Sequence, residues 1–493
     1  MAENTREEAS IKIGKRTFII AFSILLLLII TVGILTRVVP TGSYARQIVD
    51  GKEILVQNSF QFTEVARLPV YRWFTAPVEV LGSSDGAVII VIIFFLLAVS
   101  IAFSLLEKSH IMSLFISKIV KKFSNMKYLL MAIIVFFFML LGAVLGTFEE
   151  NIALVPIIIA LSYCLGWDSL VGLGMSMLAS CFGFTAAITN PFSIAITQEI
   201  SDLPLYSGSG YRVIIFIIFY AVVFLFLFRY ARKIEKNPEK SLVYGEDASL
   251  REKYRNIDSL EQVLNQKTPE EYKKLKTATL AFGAFVVLIF ASIILASFIS
   301  VLSDLTLPII GLLFLVGGLV SSTIAGIPFK ERMKIIGRAI VGIAPGIILI
   351  LMAMSVKFII SQGGIMDTIL YYTATAIMST SPYVAILLIY GLILLLELFV
   401  GSSSAKAFLV MPLIAPLSDL VGITRQSSVL AFCFADGFSN IIYPTNPVLL
   451  ICLGLTVVSY TKWMKWTIKL QLVSLALAAI FLFISVAINY GPF

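Results

Sequence analysis

Thr185-Ala186-Ala187-Ile188-Thr189-Asn190-Pro191 lies in one long apolar stretch of this 493-residue chain, and Ile441-Ile442-Tyr443-Pro444-Thr445-Asn446-Pro447 lies in another, 256 positions later. Proline has no amide hydrogen, and its ring clashes with the carbonyl four residues back. The residue before it is steered away from helical angles. Each Thr-Asn-Pro therefore predicts a break in a helix at membrane depth. One such break reads as a structural kink. Two at corresponding positions read as a site: the freed carbonyls and the Thr and Asn side chains suit a cation, and exposed helix N-termini attract carboxylates.

The same offset of 256 aligns much of the chain without a gap. It sets Pro156 on Pro412, Gly166 on Gly422, Ala179 on Ala435 and Phe182 on Phe438. Apolar runs also coincide: 17–37 with 273–293, 87–105 with 343–361, and 211–232 with 467–488. Opposite the polar stretch 38–85, however, the second half carries an extra apolar run at 307–326. One extra crossing reverses every later helix, so the halves are expected to be inverted copies. Inverted repeats are the signature of secondary transporters.

Composition agrees. The chain is 59% apolar and 13% charged, against about half and a quarter in soluble domains, which excludes an ordinary soluble enzyme. Of 37 Lys and Arg, 28 fall in five segments: 1–16, 107–127, 229–276, 330–338 and 462–469. Positive segments mark the cytoplasmic side and contact anionic lipid; none resembles a nucleic-acid motif. The stretches 298–306 and 361–383 carry no basic residue and are expected outside. The first apolar run is longer than a signal-peptide core, so it is read as a retained helix with the N-terminus inside. Within 38–85, Asp50-Gly51 between β-prone arms predicts a small extracytoplasmic hairpin. Interfacial helix is expected over 111–120, and a solvated helical pattern over 259–275. Four cysteines without metal spacing and a single histidine, His110, exclude zinc sites and His-based triads.

Residues 128–165 form two apolar arms joined at Gly146-Thr147-Phe148-Glu149-Glu150-Asn151, and 384–421 two more joined at Gly401-Ser402-Ser403-Ser404-Ala405-Lys406. Two full spans and a re-entrant hairpin both return to the starting side. Adjacent glutamates at a membrane-depth turn are costly unless they face a polar cavity, which favours re-entrance. The candidate substrate-binding residues follow: Glu149, Glu150 and Asn151; Thr189 and Asn190; Ser402, Ser403, Ser404 and Lys406; Asp436 and Asn440, which share a helix face; and Thr445 and Asn446. Pro191 and Pro447 make the breaks. Glu397 is a further intramembrane acid, while Lys357, near a span end, equally fits a snorkelling side chain. Four acids, Glu149, Glu150, Glu397 and Asp436, against Lys406 favour a cationic substrate or coupling cation.

The two tip segments, Met411-Pro412-Leu413-Ile414-Ala415-Pro416-Leu417-Ser418-Asp419, and Ala431-Phe432-Cys433-Phe434-Ala435-Asp436-Gly437-Phe438-Ser439-Asn440 resemble the YfcC family, of the anaerobic four-carbon-dicarboxylate carrier group in the ion transporter superfamily. The resemblance covers nearly the whole chain. It implies a secondary carrier of the bacterial inner membrane, with basic amino-acid antiporters of the arginine–ornithine kind among the members and dicarboxylate carriers among more distant relatives. It also implies a homodimer with an elevator motion, in which hairpin tips 146–151 and 401–406 and breaks 189–191 and 445–447 hold substrate and ion. Neither tip carries the Ser-Asn-Thr pattern that relatives use for sodium, so the coupling ion, sodium or proton, stays open.

The expectation is an all-α polytopic membrane protein with an inverted-topology repeat, about nine spans plus two re-entrant hairpins, and an elevator-type transport cycle. The first repeat is 1–232, with hairpin 128–165 and broken helix 170–199. A charged cytoplasmic linker spans 233–276. The second repeat is 277–493, with hairpin 384–421 and broken helix 426–455. The expected activity is transport of a small amino acid, foremost arginine/ornithine exchange. Glu149 and Glu150 would take the cationic end and the helix breaks the carboxylate. The alternatives are an ion-coupled four-carbon-dicarboxylate carrier, with Lys406 and the serines on one carboxylate, and a non-transport membrane scaffold. No catalytic residue, metal or cofactor is expected; the partners are a small-molecule substrate, membrane lipid and a second copy, and no nucleic acid.

Overall fold

The computed structural model describes residues 15–49, 52–56, 58–112, 114, 123, 126–255, 268–296 and 300–491. Helix α1 (Lys15–Val38) is followed by short strands β1 (Gly42–Ser43), β2 (Arg46–Val49), β3 (Lys52–Leu55) and β4 (Gln61–Phe62). β2 and β3 pair antiparallel with Val49 opposite Lys52, and β1 pairs with β4. The hairpin expectation is thus borne out, although the Asp50-Gly51 turn itself lies outside the described residues. The excursion also contains a helix, α2 (Tyr71–Glu79).

The rest is helical: α3 (Gly86–Lys108), α4 (Lys127–Leu145), α5 (Glu150–Cys164), α6 (169–186), α7 (191–200), α8 (Ser209–Lys236) and α9 (Ala248–Arg255). After the linker come α10 (Pro269–Ala296), α11 (Ser300–Ile324), α12 (Phe329–Gly363), α13 (Met366–Met378), α14 (Pro382–Glu397), α15 (Ser403–Leu420), α16 (Arg425–Ser439), α17 (Pro447–Gly454) and α18 (Tyr460–Ala487). Adding 256 to α1, α3, α4, α5, α6 and α7 lands on α10, the second part of α12, α14, α15, α16 and α17. Helix α11 has no counterpart; its place in the first half is taken by the β excursion.

Nine helices among the described residues are long and apolar enough to cross a membrane. The number matches the expectation, but the membership differs. Lys127–Leu145, expected as a hairpin arm, is 19 residues and qualifies. The second broken helix does not qualify, because 15 residues of α16 and eight of α17 are separate helices. Arms α5 and α14, at 15 and 16 residues, rise only about 22–24 Å at 1.5 Å per residue, short of a hydrocarbon core of about 30 Å.

Three boundaries are corrected. Residues 330–338, expected as a loop, form the first turns of α12, and 462–469 lie in α18; Lys, Arg and Glu are good helix formers, so these helices run on past the apolar core. For the same reason α8 reaches Lys236 and α10 starts at Pro269, so the linker is shorter than 233–276. The basic-poor stretch 361–383 contains helix α13. The interfacial helix expected over 111–120 and most of the pattern expected over 259–275 lie outside the described residues.

Polar contacts collect in two groups. In one, Glu235 accepts from Lys127 and Tyr128, Lys462 pairs with Glu246 at 2.5 Å, and Asp168 accepts from Tyr230 (2.8 Å) and Ser241 (2.7 Å). These residues border the segments expected to be cytoplasmic. In the other, Lys357 pairs with Asp85 (2.8 Å), Arg46 with Asp367 (3.1 Å) and Arg425 with Asp202 (2.9 Å). The first two pairs lie in or beside the segments expected outside. No pair named here mixes the two groups.

Candidate functional site

The two broken helices cross at their centres. The Cys181 thiol donates to the carbonyl of Gly437 at 3.0 Å, and Phe182 stacks on Phe438 with ring centroids 6.5 Å apart. Both pairs are separated by 256 positions, so residues aligned at that offset touch each other. The approach is close enough that a Cβ on Gly437 would lie 2.3 Å from the Thr185 Cα. Packing at this distance needs glycine on one side.

Each helix breaks where Thr-Asn-Pro stands. In the first half, Ala187 turns left-handed (φ 43°), and Asn190 caps the new helix, its Oδ1 accepting from Phe192 N at 2.8 Å and Ser193 N at 3.3 Å. In the second, Asn446 Oδ1 accepts from Leu449 N at 3.2 Å, and its amide donates to Asn440 Oδ1 at 2.6 Å. Asn440 in turn bonds the carbonyls of Asp436 and Gly437. Two buried polar atoms at the breaks have no hydrogen-bond partner among the described residues: Asn190 Nδ2 and Thr445 Oγ1. An orphaned buried donor is costly, and both are available to a ligand. Thr189 is instead bonded inward, its amide to Ala143 O at 3.1 Å and its hydroxyl to Val144 O at 3.2 Å.

The hairpin tips meet these breaks. Gly146 adopts φ 70°, and a Cβ there would lie 2.2 Å from Asn190 Oδ1, so the first tip rests on the first break. Ser404 donates across the halves to Phe192 O at 3.3 Å. Asn151 is buried and donates to Thr147 O (2.9 Å) and Ser180 Oγ (2.9 Å), tying the tip to the broken helix through neutral bonds. In the second half the tie is ionic. Lys406 is fully buried, 2.8 Å from Asp436 Oδ1, with the Glu397 carboxylate against the same ammonium. Ser403 donates to Asp436 Oδ2 at 2.6 Å.

The expected site residues therefore fall into separate roles. Lys406 and Asp436 are bonded to each other, together with Glu397. Ser402 caps α15 by accepting from Ala405 N at 3.4 Å and is exposed at the tip. Glu149 is exposed and Glu150 half-buried; neither makes an ion pair among the described residues, and Glu150 accepts from the Phe148 amide at 3.2 Å. Lys357 lies away from the tips, its ammonium donating to Asp85 Oδ1 at 2.9 Å. Thr147 and Ser180 were not singled out from the sequence. The offset marks them, since it places Thr147 on Ser403 and Ser180 on Asp436.

The family described as C4-dicarboxylate anaerobic carrier matches residues 18–487. An Escherichia coli (strain K12) protein named "Putative basic amino acid antiporter YfcC" is 32% identical over 392 residues, covering 78% of this chain and 75% of that protein. The family resemblance carried by the tips and the Asp436 segment is thereby borne out. Among solved structures, the YdaH transporter of Alcanivorax borkumensis aligns at 15% identity and a TM-score of 0.39, covering 97% of this chain and 100% of that one. MtrF of Neisseria gonorrhoeae, of a class of antimetabolite efflux pumps, aligns at 18% and 0.40, with coverage of 95% and 94%.

Proposed function

The chain belongs to the C4-dicarboxylate anaerobic carrier family and is a multi-pass membrane transporter of that type, and from that premise we propose that it exchanges arginine for ornithine across the bacterial inner membrane. The observation that carries this reading is the distribution of charge. Lys406 is taken up by Asp436 and Glu397, while Glu149 and Glu150 stand uncompensated at the first tip, half-buried or open. An uncompensated carboxylate pair at membrane depth attracts a cationic side chain. The orphaned Asn190 Nδ2 and Thr445 Oγ1 supply hydroxyl and amide donors for an α-carboxylate. The relative named as a basic amino acid antiporter is in keeping with this.

The same reading takes the halves as an inverted repeat working by an elevator motion, with the N-terminus in the cytoplasm. Supporting it are the element-by-element match at 256, the contacts between corresponding residues at the helix crossing, and the segregation of polar contacts into two groups. The family's own description favours a second substrate class, the four-carbon dicarboxylates; against it, the one lysine at the tips already holds two carboxylates.

Counterflow of labelled arginine in proteoliposomes tests the proposal. Internal arginine or ornithine should accelerate uptake several-fold, and Glu149→Gln with Glu150→Gln should abolish it. Uptake indifferent to both amino acids, or driven by internal succinate, would overturn the substrate assignment.

A further inference from the structure

The second hairpin tip holds a cation that is part of the chain. Lys406 has no exposed surface. Its ammonium bonds Asp436 Oδ1 at 2.8 Å, lies against Glu397, and sits 6.0 Å from the centre of the Phe432 ring. The oxygens gathered here, two carboxylates with Ser403 Oγ on Asp436 Oδ2, are hard donors of the kind that bind an alkali or alkaline-earth cation. They come from three elements: the end of α14, the tip with the start of α15, and the last turn of α16. A cation placed between them joins the hairpin to the broken helix. At the corresponding place in the first half, Asn151, Thr147 and Ser180 make the same join with neutral hydrogen bonds and gather no charge.

We propose that the Asp436–Glu397 cluster is a monovalent-cation site permanently occupied by the Lys406 ammonium, so that the second tip closes on the broken helix without an inorganic cation. The lysine is then a positioning residue and not a substrate ligand. A tethered ammonium supplies the charge at no cost of capture, and it cannot be released to the other side. Sodium bound here would be cargo; lysine bound here is not. The inference rests on the transporter reading for its place in the cycle, but not on arginine as the substrate.

The test uses the full-length protein in detergent, with thermal unfolding measured in sodium chloride and in choline chloride at equal ionic strength. Wild type should unfold at the same temperature in both. Lys406→Ala leaves two buried carboxylates facing an ammonium-sized space. It should unfold earlier than wild type in choline and gain a saturable shift of about 3 °C or more in sodium. The double variant K406A/D436N should lose that sodium response. A saturable sodium shift in wild type, or a monodisperse K406A that unfolds identically in the two salts, would overturn the proposal. Should K406A not survive purification, wild type decides alone: a saturable sodium shift of its unfolding temperature refutes the proposal, and equal unfolding in the two salts upholds it. The unfolding readout uses no substrate, so it stands or falls apart from the arginine assignment.

Discussion

Gly437→Ala is the sharpest probe of the helix crossing. The new methyl carbon would lie 2.3 Å from both the Cα and the Oγ1 of Thr185 and 2.6 Å from its amide nitrogen. Two of these are backbone atoms, so no rotamer change relieves the contact. Ordinary contact begins at 3.4 Å, so the crossing must open by about 1 Å, in an interior packed too densely to absorb that locally. Overpacking of this kind costs about 1–3 kcal/mol. Opening also stretches the Cys181–Gly437 hydrogen bond and separates the Phe182–Phe438 rings, so the expected cost is at the top of that range. Gly391 is the control. It is also helical, but a Cβ there meets nothing within 4 Å, so Gly391→Ala should be neutral or stabilise by up to about 1 kcal/mol through helix propensity. Thermal unfolding of the two purified variants beside wild type reads the difference. Equal unfolding of G437A and G391A would refute the claim that the broken helices touch backbone to backbone.

The Asp85–Lys357 pair is partly open to its surroundings, with side-chain exposures of 34% and 29%, so Asp85→Asn should cost less than about 1 kcal/mol and leave substrate affinity unchanged; a large rise in KM would place Lys357 in the site after all. Asp247, in the linker, accepts from the Tyr163 hydroxyl (2.5 Å), Ser169 N (3.0 Å) and Ser169 Oγ (3.0 Å). Burial, with Asp168 close by, pushes its carboxyl up to about 6 from the ordinary 3.8. Because the folded value lies above the unfolded one, the linker's docking is strongest below pH 4, weakens as pH rises through 6, and is constant above that. Protection factors of the amides across 238–254 should therefore fall between pH 5 and pH 7, and Asp247→Asn should remove the change; equal protection at both pH values in wild type would contradict this.

Much of the architecture was legible because it depends on local chemistry. Proline and asparagine break helices wherever they stand, so both Thr-Asn-Pro breaks were visible. Lysine and arginine mark segments, so the two polar ends were visible. What escaped was tertiary. That Lys406 is buried depends on Asp436, 30 residues away, and on Glu397 at the end of another helix. Nothing in the tip sequence distinguishes a lysine offered to a substrate from one already paired. The linker offered no readable chemistry, yet Ser241 and Asp247 dock on the connection between α5 and α6. Periodicity within the linker carries no information about where it lands. The extension of α12 through 330–338 was missed because basic residues report the side of the membrane, not the secondary structure.

The β excursion ends up attached to the opposite half of the chain. Tyr44 N and Arg46 both bond Asp367, at 3.0 and 3.1 Å, and Phe60 stacks on Tyr371 at 4.2 Å. Both partners are on α13, which leads through a short connection into the first arm of the second hairpin at Pro382. A handle is thereby built into the molecule. An antibody fragment raised against the exposed stretch 45–48 would grip polypeptide outside the apolar spans, and through Asp367 and Tyr371 it would restrain the root of the second hairpin. Such a fragment is a means of arresting the carrier in one posture without touching the substrate path.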